Sequence, residues 1–171
     1  MAHLRQTEPK QVTVGGYDFY IRPFPAFKAA NLSGELASLL VPLLASLAPL
    51  VQGEGEDDGS DIDLLDIDIT EAAPGIVKAF EGISGDKIEK LLRKLLISNG
   101  HIAVLLSNED GETEAEVLKE DLVNELFCGE MQDMFLLAFE VIRLNFNGFF
   151  KKAGNLFGKV AGAGSKMRKI L

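Results

Sequence analysis

The chain offers few residues that could do covalent or metal chemistry. It has two histidines, His3 and His101, and a single cysteine, Cys128. A thiolate–imidazole nucleophile needs the sulfur and a ring nitrogen within hydrogen-bond reach, and the sequence alone does not forbid that for Cys128 and His101. A lone free cysteine is, however, commonly a small buried hydrophobe, and we expect Cys128 in the core. Carboxylates cluster at Asp57, Asp58, Asp61, Asp63, Asp66 and Asp68. They lack the alternating acids, central glycine and closing glutamate of a calcium loop, so the segment reads as solvated rather than metal-binding. Gly15-Gly16 and Gly162 to Gly164 fit no phosphate-loop pattern. The sequence thus names no catalytic residue, no cofactor and no metal site, and the expectation is a protein that is not an enzyme.

Charge and length limit the partners. The 171 residues carry a net charge of −9. Residues 151–171 hold six basic residues and no acidic one, leaving 11 basic against 26 acidic residues, or −15, on the rest. An acidic body repels nucleic acid and anionic membranes, and neither is an expected partner, even with Lys151 and Lys152 beside Phe149 and Phe150. Residues 36–51 carry no charge, but they are too few for a membrane span and include Pro42 and Pro49. One cysteine permits no intrachain disulfide, and the polar start lacks a signal-like apolar region, which places the chain in a reducing cytoplasm.

The elements that would position any site follow from periodicity. Val12 and Val14, then Tyr17, Phe19 and Ile21, alternate on either side of Gly15-Gly16, a hairpin pattern over about residues 11–22. Leu36, Leu40, Leu43, Leu47 and Leu50 repeat at helical spacing, with Pro42 expected to divide the helix into two pieces. Residues 52–73 break the composition and read as an acidic loop. Ser84 caps a predicted helix carrying Ile88, Leu91, Leu92, Leu95 and Leu96. His101 to Leu106 and Ala115 to Leu118 have strand length, Asp121 to Phe127 reads as a short helix, and Met131 to Phe150 as a strongly apolar one. The fold expectation is α+β: a mainly helical single domain with an N-terminal β-hairpin and a possible second short hairpin. Its bounds are 1–153, with a flexible basic tail at 154–171.

Two segments resemble a known family. The first is Tyr20-Ile-Arg-Pro-Phe-Pro-Ala-Phe-Lys and its continuation to Leu36. The second runs from Glu125 to Met134 and on through Glu140 to Lys152. Both are similar to tail assembly chaperones of siphophages and related prophages of Gram-positive bacteria, in order and spacing from about residue 11 to 154. The resemblance implies a non-virion protein of the host bacterial cytoplasm, made during tail morphogenesis. It would bind the long hydrophobic tape measure protein, keep it soluble and help recruit tail tube subunits. Many such chaperones occur in two forms related by a ribosomal frameshift, and the Lys- and Gly-containing segment after Lys152 is compatible with the shorter one.

Composition agrees independently. A holdase needs apolar grooves and net charge, and seven of the 11 Phe residues lie between Phe127 and Phe157. Most of this apolar surface must be core. The expected partner-binding positions are Phe24, Phe27, Leu39, Leu43, Leu44, Met131, Met134, Leu137, Val141 and Leu144, and the leucine stripe suggests a homo-oligomer. Two other classes share features with this chain. A secretion-type acidic chaperone would show more strand signal after residue 22, and a structural tail or neck component would need more β pattern than two short hairpins.

Overall fold

The computed structural model of the chain describes residues 8–51, 82–108, 110–146 and 148, with backbone alone over 39–51. The expected acidic loop and basic tail, the carboxylates at 57–68 and the 149–152 cluster lie outside these residues. Strands β1 (Lys10–Val14) and β2 (Tyr17–Ile21) form the expected hairpin. Gly15 and Gly16 turn it with φ of 59° and 82°, the left-handed pair that a two-residue hairpin turn requires. The cross-strand pair Thr13–Asp18 adds a hydroxyl-to-carboxylate bond of 2.6 Å.

The second hairpin is present and joins the first. Strand β3 (Ile102–Ser107) pairs antiparallel with β2, and β4 (Thr113–Val117) with β3, giving one sheet in the order β1-β2-β3-β4. In register, Phe19 faces Val104 and Ile21 faces Ile102, so all four side chains share the buried side of the sheet. Strand β4 is exposed at every position, and Glu114 and Glu116 charge this edge strand against unwanted pairing. Leu118, immediately after it, is fully buried and anchors the chain again.

Four helices surround the sheet among the described residues. Helix α1 (Ala26–Val51) is a single helix that passes through Pro42 and Pro49, where the sequence pattern suggested a division at Pro42. A proline deletes one backbone donor and crowds the preceding turn, yet the bonds on either side can carry the helix past it. Helix α2 (Gly85–Leu96) starts at Ser84 as expected, but the Ser84 hydroxyl makes no cap bond; its carbonyl accepts from Lys87 and Ile88 instead. Helix α3 (Glu120–Leu126) is short, and none of its described side chains is buried. Helix α4 covers residues 131–146.

Helix α4 lies along the hairpin. Asp133 at its start approaches Gly15 so closely that a Cβ there would stand 2.6 Å from a carboxylate oxygen. Glu140, buried, accepts from Lys10 at 3.1 Å and from Arg143 at 2.8 Å. Near its end, the Asn145 Oδ1 accepts the backbone N–H of Phe24 at 2.6 Å, while Asn145 Nδ2 returns to the Val141 carbonyl. Leu32 and Leu36 of α1 are fully buried in the same core, and Lys94 of α2 pairs with Glu35 of α1. No helix of the described residues is long and apolar enough to cross a membrane.

Candidate partner-binding cleft

A cleft of about 490 Å³ opens between α2, α3 and the first turns of α4. The sequence builds each wall simply. On α2, Ile88, Leu92 and Leu96 recur every fourth residue and so form one ridge. Leu92 and Leu96 are buried together with Leu91 and Leu95, so the ridge belongs to the core and forms the floor of the cleft, with half-buried Ile88 towards its rim. On α4, Met131, Met134 and Phe135 share the opposing face, and Val123 of α3 closes the third side. Between α3 and α4, Phe127 is buried and stacks on Phe19 at 6.0 Å, while Gly129 takes φ 81° and reverses the chain. That anchored turn sets the distance between the walls.

Charge sits at the mouth. Arg93 donates to Glu89 at 2.8 Å on its own helix and to Glu120 at 2.7 Å on α3. The bond Arg93 donates to Glu120, with the one it donates to Glu89, raises the Arg93 pKa above its ordinary value, and the Arg93–Glu120 bond lowers that of Glu120. All three groups are exposed to solvent, where water and salt screen such pairs and leave them little weight in stability. Their function here is geometric: the guanidinium spans from α2 to α3.

The residues expected from sequence to bind a partner are dispersed. Met131, 58% exposed, and half-buried Met134 line the cleft. Leu137 and Val141 are 0% exposed and belong to the core, so the α4 face carrying them offers no surface in this conformation. The helix has too many neighbours for a free second face: the hairpin, α1 and α2 all contribute to that core. Leu144 is half-buried and packs on the same cluster. Phe24 is buried, 4.4 Å from His101 and 6.3 Å from Phe146, whereas Phe27 on the first turn of α1 is 93% exposed. The side chains of Leu39, Leu43 and Leu44 lie outside the described residues.

Ile88, Leu92, Leu96, Ile97, Val123 and Phe135 had been legible only as candidate core or not at all. Their helical spacing is visible in the sequence; that α2, α3 and α4 come together around them is not. Cys128 is exposed, contrary to the expected core position, because its neighbour Phe127 takes the inward place at the turn. His101 is 7% exposed, and neither ring nitrogen has a hydrogen-bond partner among the described residues. The two are therefore not paired. Burial, the largest cause, lowers the His101 pKa to about 4, with the charge of Lys28 acting in the same direction and the Leu95 carbonyl opposing.

Comparison with curated proteins and with solved structures finds no match. A model of the family described as phage tail assembly chaperone protein, TAC, matches residues 15–158, a span that takes in the cleft and every described helix and most of the sheet. The chain belongs to the phage tail assembly chaperone family.

Proposed function

We propose that this chaperone holds the tape measure protein of a long-tailed phage, of the kind infecting Gram-positive bacteria, in soluble form before tube subunits polymerise around it. The observation that carries the reading is the apolar cleft on an acidic chain, in a member of a tail assembly chaperone family. A holding protein must cover apolar client surface without condensing with it. The cleft supplies the first requirement, with Met131 and Met134 as adaptable, polarisable contacts. The net charge of −9 supplies the second. No chemical step is needed, and the protein acts as a binder in the host cytoplasm rather than as an enzyme. Recruitment of tail tube subunits would follow from the assembled client complex.

Co-expression with the tape measure protein from the same tail gene cluster tests this. The expected result is a soluble tape measure protein that co-elutes with the chain. A tape measure protein that stays insoluble, with no co-elution, would refute the assignment.

A further inference from the structure

The cleft's walls say what its occupant must look like. All three are helices, whose internal backbone N–H and C=O groups are already bonded within each helix. A strand laid into such a cleft would lose water from its own backbone groups and gain no partners. A helix brings its backbone bonds with it. Half-buried Ile88, Val123 and Met134 and exposed Met131, over a floor of buried Leu92, Leu96 and Phe135, give the apolar lining that an apolar helical ridge fits. The only charged side chains lining the cleft among the described residues are Glu89, Arg93 and Glu120, two carboxylates sharing one guanidinium. That leaves an excess negative charge at the mouth, on a chain that is itself acidic.

We infer that the α2–α3–α4 cleft binds an apolar helical segment flanked by Lys or Arg, and that Glu89 and Glu120 select those flanks. This inference rests on the client-holding reading and specifies the client segment. A cation on the incoming helix takes a share of the Glu89 and Glu120 carboxylates that Arg93 holds in the free protein.

The test uses the full chain and fluorescent peptides of about 16 residues, long enough to form a helix. One peptide has leucines at helical spacing between Lys flanks, a second has Glu flanks, and a third has the Lys flanks with a central proline. The Lys-flanked peptide should bind roughly threefold to tenfold tighter than the Glu-flanked one at low salt. Joint Glu89→Gln and Glu120→Gln substitution should remove that preference while leaving apolar binding. Met134→Gln, at a half-buried site and nearly volume-conserving, should weaken both peptides, with circular dichroism confirming the fold. Equal affinity for the two flank types overturns the proposal, as does a preference that survives the double substitution. Undiminished binding of the proline peptide overturns the helical occupant. If deletion of residues 151–171 raises affinity for the Lys-flanked peptide severalfold, the cleft's occupant is the chain's own basic segment and the proposal fails. Loss of peptide binding with the tape measure protein still solubilised defeats this inference alone; failure to solubilise it defeats the underlying function.

Discussion

At the scale of single residues, two polar groups in the core have opposite fates. Glu140 is buried but paired with Lys10 and Arg143, so its charge is compensated across the α4–hairpin contact. His101 is buried with no side-chain charge to pair it among the described residues, and its folded-state pKa of about 4 lies below the ordinary value of 6.5. Above pH 6.5 the ring is neutral in both states and contributes no pH dependence. As pH falls from 6.5 towards 4, the unfolded chain binds a proton that the folded chain refuses, and stability drops by up to about 1.4 kcal/mol per pH unit. The urea midpoint should therefore decrease between pH 7 and pH 5, and His101→Leu should flatten that decrease without loss at pH 7. An equal slope in the variant would show that other groups govern the acid limb. Phe24 lies on the same junction, and its backbone bond to Asn145 explains why the sequence reading misplaced it. A phenylalanine between two prolines has the composition of an exposed loop, and contacts with distant residues, the rings of His101 and Phe146 and the Asn145 side chain, make it a core residue. Asn145→Ala should cost about 1–3 kcal/mol by leaving the Phe24 N–H unpaired, measurable by denaturant unfolding.

At the scale of elements, periodicity located nearly every helix and strand but did not say which faces would be covered. Both hairpins were legible because alternation and turn residues are local. The β2–β3 pairing that joins them was not, since it depends on residues about 80 positions apart, such as Phe19 and Val104. For α4 the same limit applied. Its apolar circumference suggested a free second face, and the structure spends that face on the core at Leu137 and Val141. Leu137→Asp, at a position the sequence suggests for partner binding, should unfold the domain, since an unpaired charge at a fully buried site costs several kcal/mol. Thermal denaturation would show this directly, and a folded Leu137→Asp domain would contradict the packing. Helix α3 behaves oppositely. With no fully buried side chain among its described residues, it is held by partial packing of Leu122, Val123 and Leu126 on the core, by the buried residues Leu118 and Phe127 that flank it, and by the Arg93–Glu120 pair. Its amides should exchange faster than those of Leu91 to Leu96 in α2, and slow when a client peptide fills the cleft.

At the scale of the whole molecule, the sequence of α1 bears on self-association. Its 26 residues extend for about 39 Å at the helical rise. The first part is accounted for: Leu32 and Leu36 are fully buried and Glu35 pairs with Lys94. Beyond them the sequence continues with Leu39, Leu40, Leu43, Leu44, Leu47 and Leu50, without a charged residue before Glu54. A helix apolar around its circumference needs contact on more than one side. A second copy of the chain offers the same stripe, and two identical heptad-like stripes are self-complementary. We therefore expect the protein to sediment as a dimer or larger ring when no client is bound, with Leu43 at or near the contact. Leu36 is excluded from that contact because it is already core. Leu43→Asp should disrupt either the assembly or the fold, which circular dichroism separates, and deletion of residues 155–171 should leave client binding largely intact. A wild-type chain that remains strictly monomeric at high concentration would remove the oligomer, and would leave the cleft alone responsible for holding the client.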